Sequence, residues 1–139
     1  MRRKQSSGHA VVELALLLPW IVFLFAGLFD VGFCAYSLIA TENAARVAAE
    51  YTSQGSTTAS DQSGACSYAL SELSALPGAS GLASCGANPV IVTASQVTGP
   101  DGSPATSVSV TYQTILLIPI PGFPSRYTIT RTAQMRLQS

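Results

Sequence analysis

The sequence predicts an α+β protein in which a long N-terminal transmembrane helix extends into a small domain with a short second helix and a three-stranded antiparallel sheet. Three observations carry this. Residues 10–28 are apolar except for Glu13, residues 31–51 are alanine-rich and free of proline, and beyond residue 89 three segments alternate or carry β-branched side chains.

The first element begins after a basic, then polar, stretch holding Arg2, Arg3 and Lys4 and ending at Gly8. Residues 14–29 carry no charge, and about 20 apolar residues suffice to cross the hydrocarbon core as a helix. The basic flank predicts a cytoplasmic N-terminus, with everything after Asp30 translocated. The helix should not stop at the membrane. Tyr36, Ala40, Ala44, Val47 and Tyr51 recur at helical spacing, and Glu42 precedes Arg46 by four in the favourable order for an ion pair. A helix over 10–52 is roughly 65 Å long at about 1.5 Å per residue, twice what a bilayer needs. Pro19 lacks the amide that would bond back to Ala15, so a local kink is expected there.

Residues 54–64 are rich in Ser, Thr and Gly and end the helix. Ala65, Cys66, Ala69, Leu70, Leu73 and Leu76 then mark a second, amphipathic helix that Pro77 and Gly78 stop. The strands fall at 90–97, 106–112 and 127–137, with the first turn at Gly99, Pro100, Asp101 and Gly102. The second connection, 115–124, holds Ile115, Leu116, Leu117, Ile118, Ile120 and Phe123 among three prolines. That much apolar surface marks either a partner surface or a loop folded back onto the long helix near 36–47. The resulting division is 1–8, a helix 9–52 whose 10–29 half spans the membrane, and a disulfide-bonded domain 53–139.

With 139 residues and seven basic against seven acidic side chains, the chain has room for one compact domain and no net charge. Only Arg126, Arg131 and Arg136 are basic beyond position 50, too dispersed for a nucleic-acid footprint. Cys34 lies in the apolar helical stretch, whereas Cys66 and Cys85 sit in polar, small-residue segments, which predicts one disulfide and one buried thiol. The inventory argues against an enzyme. His9 is the only histidine and lies at the membrane boundary, no Cys-x-x-Cys motif occurs, and no metal-ligand cluster or phosphate-cradling glycine loop is present, so no cofactor is expected. A cleaved signal peptide lacks its small-x-small site, and Phe33 before Cys34 does not suit lipidation. An uncleaved signal anchor is the remaining rival.

Ser7, Gly8, His9, Ala10, Val11, Val12, Glu13 and Leu14 resemble the cleavage site of type IV prepilins. In that family a membrane aspartyl peptidase cuts after the glycine, which here implies a cut between Gly8 and His9 and makes Glu13 the fifth mature residue. A carboxylate one turn inside an apolar span costs about 2.5–3.5 kcal/mol on insertion scales, so it is seldom kept without a partner. The new ammonium on His9, in the same subunit or a neighbouring one, would supply that partner. A Glu13 shallow enough to reach the headgroups and pair with nothing is the bland alternative.

A narrower resemblance follows from residues 10–19 (AVVELALLLP), Phe29, Asp30, Val31 and Gly32, and the run Thr41, Glu42, Asn43, Ala44, Ala45, Arg46, Val47, Ala48, Ala49. Together with VSVTY at 108–112 and the Pro and Gly loop before a Thr-rich last strand, these look like the TadE-like proteins of tight-adherence pilus systems. Leu14 stands where that family commonly has phenylalanine, and His9 where glutamine is more usual. The resemblance implies a pilin-like fold and a minor pilin or pseudopilin in the inner membrane or an extracellular pilus. Its implied partners are a prepilin peptidase, other pilin-like subunits, an assembly platform and membrane lipid. The segment Asn43, Ala44, Ala45, Arg46 is expected to pack against protein, most naturally the subunit's own sheet, because Ala44 with Ala48 and Ala45 with Ala49 form small-residue ridges.

Overall fold

The computed structural model describes residues 7–115 and 125–138, with side chains described from His9 onward and excluding that of Ile115. The architecture is α+β: α1 (Ser7–Thr52), α2 (Gln62–Leu73), then β1 (Gly86–Ala87), β2 (Val90–Thr98), β3 (Pro104–Ile115) and β4 (Arg126–Arg136). The strands form one antiparallel sheet in the order β1-β2-β3-β4. The expected meander of three is therefore a sheet of four. β1 is only two residues long and reads in the sequence as loop, since Gly86 and Ala87 offer neither alternation nor β-branching.

α1 runs its 46 residues as one element across Pro19, roughly 69 Å at about 1.5 Å per residue. Its two halves solve different problems. From Val11 to Val31 the large apolar side chains are 47–73% exposed, so this half is left largely uncovered by the described residues. It is long and apolar enough to cross a membrane. The second half turns one face inward. Ser37, Ala40, Thr41, Ala44, Ala45, Ala48, Ala49 and Thr52 are all buried at helical spacing. Of the positions expected at helical spacing, Ala40 and Ala44 lie on this face, while Tyr36 is exposed and Val47 and Tyr51 are half-buried beside it. The alanines win the inward face because α1 packs on α2, β3 and β4 together, and small side chains let it approach all three.

The core joins those alanines to Ala65, Ala69 and Leu73 of α2, Leu76, and the inward residues Val90, Val92, Val108, Val110 and Tyr112 of the sheet. Along β3 the buried positions Thr106, Val108, Val110, Tyr112 and Thr114 alternate with half-exposed ones, as a sheet covered on one face demands. The buried hydroxyls of α1 are satisfied along the helix, Ser37 Oγ donating to Phe33 O at 2.9 Å and Thr41 Oγ1 to Ser37 O at 2.7 Å. Thr106 Oγ1 lies 2.9 Å from Thr52 Oγ1 and 3.0 Å from Ala59 O, tying the end of α1 to β3. Tyr112, fully buried, donates its hydroxyl to Pro77 O at 2.8 Å, and burial pushes its pKa up.

The turn after β2 closes with Gly99 N donating to Ser103 O at 2.8 Å and Gly102 N to Gly99 O at 3.0 Å. Gly102 has φ of +77°, which explains why glycine stands there. The chain end is also tied down, since Leu137 N donates to Pro104 O and Gln138 N to Ser53 O, at 3.0 and 2.8 Å.

Candidate assembly site

Gly8 and His9 lie in the first turns of α1, and the rest of the expected leader, residues 1–6, falls outside the described residues. Glu13 follows His9 by four, so the two share one face of the helix. Both are exposed, as are their neighbours through Phe25. A cut after Gly8 would create an ammonium one turn from the Glu13 carboxylate, on a helix whose surrounding surface is entirely apolar up to Phe29.

Where α1 reaches the domain, Phe25, Leu28, Phe29, Gly32, Phe33 and Tyr36 line an apolar groove of about 350 Å³. Asp30 is buried close to this level, and Cys34 is half-exposed rather than buried. The thiol falls between the bare half of α1 and its packed half, where the domain covers only one side.

The four-residue packing motif divides. Ala44 and Ala45 are in the core at 0% and 1% exposure, while Asn43 and Arg46 face outward. The structure thus sets the two alanines against α2 and the sheet, and Arg46 Nη2 meets Glu42 Oε1 at 2.6 Å on the outer surface. Arg46 also borders a groove of about 540 Å³ between α1 and β4 that includes Glu42, Ala45, Arg131 and Met135.

Cys66 and Cys85 are joined by a disulfide, which links α2 to the residue just before β1. Of the apolar connection, Leu116, Leu117, Ile118 and Phe123 lie outside the described residues, as does the side chain of Ile115.

Sequence reasoning missed the elbow between the helices. Asp61 caps α2, its Oδ1 accepting from Ser63 N and Gly64 N at 3.1 Å each and from Ser63 Oγ at 2.7 Å. Its Oδ2 accepts from the Tyr51 hydroxyl at 2.7 Å, and Tyr51 stacks on Tyr68 with ring centroids 4.7 Å apart. The Ser63 hydroxyl, the Tyr51 hydroxyl and the Gly64 amide together lower the Asp61 pKa to about 2. The same carboxylate raises that of Tyr51. An Asp just ahead of an apolar-periodic stretch was the available signal. Nothing in the sequence pointed to the tyrosine partner ten positions earlier.

Residues 8–50 match the family model described as TadE-like protein. No curated protein and no solved structure matches the chain. The match begins at the glycine that precedes the apolar helix and ends two residues before α1 does, so it follows α1 and leaves the sheet domain uncovered. Across the helix that carries Gly8, Glu13 and the buried alanine ridge, the chain is similar to TadE-like proteins.

Proposed function

We propose that this chain is a minor pilin or pseudopilin of a tight-adherence pilus, cut after Gly8 by a prepilin peptidase and assembled through α1. The observation that carries the reading is the coincidence of the TadE-like match with a helix whose first half is bare and whose second half is the spine of the folded domain. Such a helix must be covered by lipid before assembly and by other helices afterwards. Arg2, Arg3 and Lys4 set the N-terminus in the cytoplasm and the sheet domain outside an inner membrane. Other pilin-like subunits and the assembly platform are the partners. The chain performs no catalysis of its own in this reading, and the chemistry belongs to the peptidase that acts on it.

Glycine at the cut site lets extended backbone enter a peptidase without a side-chain clash. Gly8→Val should therefore leave the chain at its unprocessed mass when it is expressed with a prepilin peptidase. A Gly8→Val chain that still begins at His9 would refute the assignment of the site. Glu13 acts in assembly, since removing it makes the span more apolar and easier to insert. Glu13→Ala should enter the membrane and be cut, yet fail to copurify with pilin-like partners. Normal copurification would place Glu13 at the headgroups instead.

A further inference from the structure

The register of the sheet against α1 fixes how far each strand end stands from the membrane. Just past β4, Gln138 N donates to Ser53 O at the end of α1. Arg131, which pairs with buried Val110 and so stands exposed on the helix side of the sheet, shares a groove with Glu42 and Arg46. Read backward, β4 therefore descends along α1. The steps from Arg131 to Arg126 cover about 17 Å at about 3.3 Å each, which is the rise of about 11 helical residues. Counted from Glu42, that is the level of Val31. β3 agrees: Thr106 meets Thr52, and the steps from there to Ile115, the partner of Arg126, cover about 30 Å, or about 20 residues of α1, ending at Gly32.

The apolar run of α1 ends at Phe29, and the headgroup layer adds about 5–7 Å to each side of the hydrocarbon core. Val31 and Gly32 fall inside that layer when residues 10–29 span the membrane. Arg126 is therefore held at headgroup height. Exposed Tyr36, two turns past Phe29, leans toward the start of the helix and so toward the same layer, where tyrosine is favoured.

Carboxylates are scarce at this end of the molecule, since residues 31–41, 73–100 and 102–125 carry no charge. Asp30 is the carboxylate at this height, and it is buried on the face of α1 that continues through Ser37 and Ala44. Arg126 stands on the outer face of the sheet, because its neighbour Tyr127 pairs with buried Thr114 on the helix side. It is exposed and makes no ion pair among the described residues. We propose that Arg126 binds the phosphate of an anionic phospholipid on the domain's side of the membrane, giving the sheet a second hold beside α1. The two holds lie on opposite faces of the sheet, so together they set the tilt of the domain. The inference rests on the reading of α1 as a membrane span and not on cleavage after Gly8.

The test reconstitutes the full-length chain into vesicles of phosphatidylcholine, with and without phosphatidylglycerol, and reads amide hydrogen exchange over residues 126–130. Opening the start of β4 breaks the contact, so the contact raises the free energy of that opening. With phosphatidylglycerol present, wild type should exchange about fivefold more slowly than Arg126→Gln. In phosphatidylcholine alone, or at high salt, that gap should close. Arg126→Lys should keep most of the slowing, and Arg136→Gln at the far end of β4 should keep all of it. Exchange at Val108 and Val110 should be the same in every variant, as expected of an intact core. Equal exchange of wild type and Arg126→Gln with phosphatidylglycerol, or the same gap in both lipids, overturns the proposal. Inorganic phosphate that opens the gap in phosphatidylcholine vesicles assigns the site to a free anion and overturns it equally. A chain that does not float with the vesicles refutes the span and this contact together. In a chain that floats and has lost residues 1–8 by intact mass, absence of the gap refutes the contact and leaves the proposed function standing.

Discussion

Ala48→Leu probes whether the distal half of α1 is a packed spine. Ala48 is fully buried, on a helix that α2 approaches from one direction and β3 and β4 from another. Leucine adds three carbon atoms at a site with no exposed surface, and neither neighbouring layer can withdraw without parting from its own partners. Overpacking costs about 1–3 kcal/mol, and a site held from two sides belongs at the upper end, about 3 kcal/mol. Detergent keeps the bare half of α1 helical, so circular dichroism would miss the loss. Amide hydrogen exchange at Val108 and Val110 of β3 reports it, because these core amides open only when the domain does. About 3 kcal/mol appears there as roughly 150-fold faster exchange. Ala45→Leu should behave alike, and Asn43→Leu on the exposed face should stay within about 0.5 kcal/mol of wild type. Unchanged exchange in both alanine variants would refute the packing argument.

Reduction of the Cys66–Cys85 bond, which closes a loop spanning 19 positions, should destabilise the domain by about 3 kcal/mol, and thiol labelling should gain two sites only after reduction. Asp61 supplies stability that is complete above its ordinary pKa and is lost as pH falls from about 4 through about 2, because its folded-state value is depressed. Asp61→Asn should flatten that acid limb in a denaturation series, and an unchanged limb would remove Asp61 from the elbow. At Gly64 an added methyl would run into the Tyr51 ring, with the Tyr51 hydroxyl and Asp61 Oδ2 each 2.5 Å away. Gly64→Ala should therefore cost about 1–3 kcal/mol by hydrogen exchange, and a neutral result would mean that the Tyr51 ring swings aside freely.

The long helix was legible because its signals are long-range and redundant: a charge-free run, a proline-free continuation and a basic flank. The three long strands were legible from alternation, and each falls within a few residues of its expected bounds. β1 was not, because two residues recruited by a neighbouring strand carry no pattern of their own. The inward face of α1 was legible in the ridges of Ala44 with Ala48 and Ala45 with Ala49, all four of them buried, because three layers meeting on one helix select alanine. The elbow at Tyr51, Asp61 and Tyr68 escaped because its partners meet only after the chain has turned back. At the candidate site, Gly8 and Glu13 could be picked out directly, since the readings placed on them rest on position along an apolar helix. The exposed arginine on the core side of β4 could not, because strand register decides which face Arg131 occupies.

The central claim is that this chain, similar to TadE-like proteins over residues 8–50, is trimmed at the start of α1 and only then becomes an assembly subunit. Intact mass with N-terminal sequencing of the chain, extracted from membranes that contain a prepilin peptidase, tests it most directly. The account predicts a single mature form that has lost residues 1–8 and begins at His9. A membrane-anchored chain that keeps residues 1–8 in full would contradict it and describe an uncleaved anchor.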